Sequence, residues 1–194
     1  EAMALANRHP RVNFLRPGPG VGGHCIPIDP YFVIEVAPAV TDIIQAARRV
    51  NRGMPHHVVE LLRRLAGDEP IRRVAILGAS YKANVGDERE SPSLKIAQLL
   101  RDAGVVVAIH DPYVPQYNTS LESVLQGTDA ILLLTDHEVY QSVDPHYARN
   151  LVTRALLLDT RGFFSPAEWE AAGFVVLRLG DGRKGALLES RIAR

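Results

Sequence analysis

The chain has a single cysteine, Cys25, a single tryptophan, and no excess of either charge, with 22 Lys plus Arg against 22 Asp plus Glu. One cysteine excludes an internal disulfide framework and cannot by itself build a thiolate metal site. His24 beside it offers a second ligand type, but no further close ligand accompanies the pair, so no metal is expected. The charge balance removes the long-range field that draws a basic chain to nucleic acid or to an anionic membrane. No apolar run is long enough to span a bilayer and no signal-like segment opens the chain, which together favour the cytoplasm. Over 194 residues, 46% hydrophobic and 23% charged residues give the balance of a globular protein with a sizeable core. The first residue is Glu1 rather than Met, and residues 1–7 read as the end of a helix, so the chain is expected to be a piece of a longer protein.

Three regions separate by pattern. Residues 8–31 carry Pro10, Pro17, Pro19, Pro27 and Pro30 among Gly18, Gly20, Gly22 and Gly23, a density that forbids a long helix and demands a tightly folded loop. Next, Val40, Ile43, Ile44, Ala47, Val50, Met54, Val58, Leu61, Leu62 and Leu65 recur at steps of three and four, the pattern of an amphipathic helix. Thr41 or Asp42 is placed to cap it and Gly67 to stop it. Pro55 either kinks one long helix or opens a second at its first turn. From residue 71 onward, short aliphatic runs at 74–77, 105–109, 130–134, 155–158 and 174–177 alternate with helical segments at 93–103, 121–125 and 166–171. That alternation predicts an α/β fold with a doubly wound, Rossmann-like parallel sheet, which binds ligands beyond the carboxyl ends of its strands.

A cysteine that does chemistry must be accessible and must sit near groups that favour its anion, because a free thiol titrates near about 8.5. Gly20, Gly22 and Gly23 ahead of Cys25 strip side chains from the backbone and let its amides approach a ligand. Asp29, four residues on, is close enough in sequence to orient or deprotonate water. Arg11 and Arg16 flank the glycine loop and suit phosphate oxygens, which guanidinium groups bind in bidentate geometry. Asp111, followed by proline after a strand, imitates a ribose-binding acid and serves equally well as a turn residue. His137, also after a strand, reads either as functional or as part of a turn, and the adjacent pair His56 and His57 reads as exposed helix surface.

The stretch 18–30, Gly-Pro-Gly-Val-Gly-Gly-His-Cys-Ile-Pro-Ile-Asp-Pro, resembles the catalytic-cysteine segment of the UDP-glucose and UDP-N-acetylhexosamine 6-dehydrogenases. A second stretch, 78–92, Gly-Ala-Ser-Tyr-Lys-Ala-Asn-Val-Gly-Asp-Glu-Arg-Glu-Ser-Pro, resembles the phosphate-contacting segment of the UDP-binding domain in the same family. His24, and Ile28 where UDP-glucose enzymes usually carry lysine, point to the N-acetylhexosamine branch. Residues 8–13 with Thr135-Asp136-His137 are most similar to UDP-N-acetyl-D-mannosamine dehydrogenases, ahead of those acting on UDP-N-acetylglucosamine or UDP-glucose.

The resemblance implies that residues 1–69 complete a central helical, dimerising domain with the catalytic loop, and that 70–194 form a UDP-sugar-binding Rossmann-like domain. It implies an NAD-dependent, two-step oxidation of a sugar C6 alcohol to a uronic acid through a thiohemiacetal and thioester on Cys25, with Asp29 assisting water. Substrate contacts carried over are His9, Arg11, Phe14, Leu15, Arg16 and Gly22 in the loop, Tyr81 and Lys82 in the second stretch, and Arg161 after a later strand. Arg89 corresponds to a cofactor contact, while NAD is held mainly by a domain absent from these residues, so this piece alone is expected to be inactive. A homodimer through the helix at 40–65 is implied as well. Two other classes fit parts of the pattern. A freestanding NAD-binding domain is disfavoured because Ser80 and Ala83 stand where the turn after residue 77 would need glycines to cradle a pyrophosphate. A non-catalytic module that dimerises and senses nucleotide would leave Cys25 without a role.

Overall fold

The five aliphatic runs pair side by side as one parallel sheet in a computed structural model that describes residues 5–11 and 17–181. The strands are β1 (Arg73–Leu77), β2 (Val106–His110), β3 (Ala130–Leu133), β4 (Leu156–Asp159) and β5 (Val175–Arg178), in the order β2-β1-β3-β4-β5. Every pairing is parallel. Runs this short and this aliphatic are stable only when covered on both faces, and the alternation along each strand shows both covers. Val74 and Ile76 of β1, with Ala130 and Leu132 of β3, face one core, while Ala75, Leu77, Ile131 and Leu133 face the other.

The first core is closed by α2 (Asp42–Ala66) and α3 (Pro92–Asp102), through Val58, Leu62, Leu65, Ile96 and Leu100. The second is closed by α4 (Leu121–Leu125), α5 (Pro145–Leu151) and α6 (Pro166–Ala171), where Trp169 packs between Phe164 and Phe174 at centroid distances of 4.7 and 4.8 Å. Helices α3, α5 and α6 each open on a residue-proline pair, in which the proline needs no N–H bond and brings a φ already suited to the first turn. The sheet reverses its winding between β1 and β3, and the crevice outside their carboxyl ends is where such sheets receive ligands.

Several local features refine the sequence pattern. Strand β2 begins one residue later than expected, because the Val105 N–H bonds the Leu100 carbonyl (3.0 Å) and closes α3 around Gly104 at φ 81°. Phe174 does the same for α6, bonding the Trp169 carbonyl at 3.0 Å after Gly173 at φ 93°. Helix α2 is one element through Pro55, so of the two readings the single long helix holds and no second helix begins at the proline. An eight-residue helix, α1 (Asp29–Val36), directly follows the cysteine loop where the sequence reading placed no helix. No helix among the described residues is long and apolar enough to cross a membrane.

The apolar stripe of α2 divides in two. Its second half, Val58, Val59, Leu62 and Leu65, is buried in the chain's own core. Its first half is open, with Ile43 86% and Val50 69% exposed, and Phe32, Val36 and Val40 ahead of it are open too. The subunit contact expected along 40–65 is therefore available only over the first part of that span. Leu62, 1% exposed, ties the long helix to the sheet. Leu62→Ala is expected to lower stability by about 2–5 kcal/mol in urea unfolding, and a loss below about 1 kcal/mol would contradict that anchoring role.

Candidate active site

The cysteine loop is seated between α2 and the segment before α3. Pro55 lacks an N–H, so the Asn51 carbonyl four residues earlier loses its helical partner. At that point the loop crosses the helix. The Asn51 Oδ1 accepts the Val21 N–H (2.8 Å), its Nδ2 donates to the Val21 carbonyl (3.4 Å), and the backbone of Gly20 passes between Asn51 and Pro92. The Gly23 N–H then donates to the Arg89 carbonyl at 2.9 Å.

Glycine is required for this approach. A Cβ on Gly22 would lie 2.7 Å from both the Glu90 carbonyl oxygen and the Tyr81 Cβ, and Gly23, at φ 96°, lies against the Tyr81 ring. Two segments far apart in sequence are thereby joined backbone to backbone. Cys25 follows at once and is exposed. Its carbonyl accepts the N–H groups of Ile28 (2.9 Å) and Asp29 (2.8 Å), so Asp29, the exposed first residue of α1, stands one turn beyond the thiol.

The remaining predicted residues sort by position. Tyr81 is half-buried and Lys82 exposed on the turn leaving β1. Arg89 is exposed and locked onto Asp87, with Nη2 to Oδ2 at 2.6 Å. The hydrogen bonds from the Arg89 side chain and backbone hold the Asp87 carboxyl down at about 2. Asp87 in turn raises the Arg89 guanidinium above its usual value. Arg161 leaves the end of β4 with Nε on the Asp136 Oδ1 (2.9 Å) and reaches the cysteine loop at the Pro17 carbonyl (3.5 Å), against Gly18. His9 and Arg11 are exposed, with the Arg11 N–H donating to the His9 Nδ1 at 3.3 Å and the His9 N–H donating to the Ala6 carbonyl at 3.2 Å. Phe14, Leu15 and Arg16 lie outside the described residues.

Two residues that the sequence left undecided prove to be buried organisers. Asp111 is closed off from any ligand at the surface. It is wholly enclosed, and its Oδ2 accepts the N–H groups of Ala79 (2.8 Å) and Ser80 (2.9 Å), the Ser80 hydroxyl (2.8 Å) and a contact from the His137 Nε2 (3.0 Å). His137 is equally enclosed and is no simple turn residue. Asp159 goes unnoticed in the sequence, yet it accepts the N–H groups of Arg161, Gly162, Phe163 and Phe164 and so fixes the turn that carries Arg161. The one available signal was position, since Asp111 and His137 follow apolar strands and Asp159 ends one.

Sequence comparison places the chain in a known family. Residues 75–166 match the UDP binding domain of the UDP-glucose/GDP-mannose dehydrogenase family, and residues 1–53 match its central domain. The chain belongs to that family. It is 41% identical over 189 residues to a UDP-N-acetyl-D-mannosamine dehydrogenase of Methanocaldococcus jannaschii, covering 94% of this chain and 44% of that protein. It is 38% identical over 177 residues to an NDP-N-acetyl-D-galactosaminuronic acid dehydrogenase of Ralstonia solanacearum, covering 85% and 40%. Among solved structures it resembles a UDP-D-ManNAc dehydrogenase of Pyrococcus horikoshii, with a TM-score of 0.83, 36% identity, and coverage of 93% of this chain and 44% of that one. The chain thus spans less than half the length of these relatives.

The carboxyl of Asp111 is pushed up by burial but held well below the ordinary aspartate range by the stronger pull of the His137, Ser80 and Tyr113 hydrogen bonds. A carboxyl depressed on folding stabilises the native state at any pH above its unfolded value of about 3.9, and that contribution fades as the pH falls below it. Asp111→Asn is expected to cost about 3–5 kcal/mol in urea unfolding at neutral pH. The gap between the two proteins should hold down to about pH 5 and narrow by about pH 3. A gap that widened on acidification would contradict the assigned sign.

Proposed function

We propose that this chain supplies the catalytic cysteine and the nucleotide-sugar half of an NAD-dependent UDP-N-acetyl-D-mannosamine 6-dehydrogenase. The observation that carries this reading is the seating of the Cys25 loop directly on the Tyr81 and Arg89 segment. One side of the resulting surface presents a thiol, and the other presents Tyr81 and Lys82, with Arg161 reaching the loop at Pro17, groups suited to a diphosphate. The N-acetylated hexosamines named in the relatives above favour that branch over UDP-glucose, with UDP-N-acetylglucosamine as the alternative substrate.

The chemistry assigned to the chain's own groups is covalent. Loss of hydride and a proton turns the C6 alcohol into an aldehyde, and the Cys25 thiolate adds to its carbon, giving a thiohemiacetal. Loss of a second hydride leaves a thioester. Water, deprotonated with help from Asp29, attacks that carbon, the C–S bond breaks, and the uronic acid departs as the thiol is restored. The nicotinamide cofactor supplies the hydride acceptor for both oxidations. Its fit to these residues is marginal. Arg89 is available to it at the edge of the site, but the amides of Ala79 and Ser80, where a dinucleotide sheet would receive a pyrophosphate, are already spent on Asp111. That occupancy also weighs against a freestanding NAD-binding domain.

Calorimetric titration of the 194-residue chain with UDP is expected to give saturable binding, with NAD binding far more weakly. Lys82→Ala should weaken UDP about tenfold, roughly 1.4 kcal/mol. A UDP-N-acetylhexosamine should slow alkylation of Cys25 by iodoacetamide, and the chain alone should form no NADH. An alkylation rate indifferent to the nucleotide sugar would remove the cysteine loop from the site and overturn the reading.

We also propose pairing of two chains through α1 and the first half of α2, supported by the open apolar row from Phe32 to Val50. Light scattering should give twice the chain mass of 21.3 kDa, and Ile43→Glu should return it to one. A single-chain mass at tens of micromolar would exclude the pairing.

A further inference from the structure

Ser80, His137 and Asp111 have the composition of a hydrolytic triad, but their wiring is different. The His137 Nδ1 accepts the backbone N–H of Asn84 at 2.9 Å, so the ring hydrogen sits on Nε2, facing the Asp111 Oδ2 at 3.0 Å and the Ser80 hydroxyl at 3.1 Å. No ring nitrogen is left to act as a base. Ser80 is itself only 1% exposed, and its hydroxyl already donates to Asp111. The imidazole is also clamped between rings, with Tyr113 at 4.9 Å and Tyr140 at 5.5 Å between centroids.

What this cluster holds is a short piece of backbone. The Ser80 N–H is fixed to Asp111 and the Asn84 N–H to His137, so both ends of the turn carrying Tyr81, Lys82 and Ala83 are pinned to one buried pair. Asn84 sits at φ 59°, a left-handed conformation that few residues adopt without a local reason. Its side chain accepts the Glu138 N–H (3.0 Å), which ties the same turn to the residue after His137. A lysine on a flexible stem gains affinity for an anion when the backbone beneath it is already ordered, because less freedom is lost on binding.

We propose that His137 is a positioning residue for the nucleotide-sugar site: by accepting the Asn84 amide it holds the Tyr81–Lys82 turn in the shape that receives the diphosphate. This rests on the nucleotide-sugar reading above. His137 acts through the turn and touches no substrate. Each ring nitrogen has a separate task, and the two amide side chains separate them. Asparagine places an acceptor where Nδ1 stands and keeps the hold on Asn84. Glutamine places a donor where Nε2 stands, keeps Asp111 satisfied, and releases Asn84.

The test is UDP titration of the 194-residue chain and of His137→Asn and His137→Gln, with hydrogen exchange of the Asn84 amide read by NMR and folding checked by circular dichroism. Folded His137→Gln should bind UDP about tenfold more weakly and lose protection at Asn84, while His137→Asn stays within about threefold of the parent and keeps it. Equal UDP affinity in all three proteins, or unchanged Asn84 protection in His137→Gln, would overturn the inference and leave the nucleotide-sugar reading intact. A parent chain that ignored UDP would overturn that reading, and the role given to His137 with it.

Discussion

A bare main chain laid against a tyrosine is the constraint on which the site depends. Gly22 and Gly23 bring the loop within van der Waals range of Tyr81 and within hydrogen-bonding range of the Arg89 carbonyl, and neither approach survives a Cβ at Gly22. The loop itself has little regular structure to stiffen it. Its position comes from outside holds: Asn51 on the long helix, Pro92 at the start of α3, the 81–90 segment, and Arg161 at Pro17 and Gly18. A hydrogen bond of this kind contributes only about 1 kcal/mol, so close packing and restricted proline geometry must carry much of the remainder. The exposed thiol is therefore placed by residues that share no chemistry with it.

The sheet was legible because its signal is local. Five aliphatic runs bounded by turn residues allow few interpretations, and the errors were confined to single residues such as Val105 and Phe174, whose N–H groups close the preceding helix. The cysteine loop was legible for the same reason, since glycine and proline at that density restrict the backbone directly. Asp111 and His137 were not. They lie on separate strand ends, and their meaning appears only when β2 and β3 are brought to opposite sides of β1. Pro55 belongs with them. Sequence alone left two readings open, and the choice rests on a helix face held to the sheet by Val58 and Leu62 beyond it.

The long helix illustrates how one periodic pattern can serve two surfaces. Its spacing is uniform from Val40 to Leu65, which explains why a single role was expected for all of it. Burial divides it near Pro55: Val58 onward is enclosed, whereas Ile43 and Val50 face outward beside the open Phe32, Val36 and Val40. An apolar row of that length at the surface is unusual unless something covers it. Periodicity reports which side of a helix is apolar, and it is silent on whether the cover comes from the same chain.

Electrostatics at the carboxyl edge of the sheet raises an apparent conflict. Asp111 and Asp159 stand at the ends of β2 and β4, Asp136 just beyond β3, and Asp87 close by, a concentration of negative charge poorly suited to a diphosphate. Each carboxylate is consumed, however. Asp111 faces the β1 turn and His137, Asp159 accepts four N–H groups, Asp136 holds Arg161, and Asp87 holds Arg89. Asp111 and Asp159, enclosed and multiply bonded, act as backbone anchors, while Asp136 and Asp87 orient arginines that stay at the rim. Lys82 forms no ion pair among the described residues, and it stands exposed on a turn whose two ends are tied down by the same buried carboxylate and imidazole. A site built this way receives an anion without rearranging its own charges, because its acidic groups are already hydrogen-bonded or ion-paired in the folded sheet.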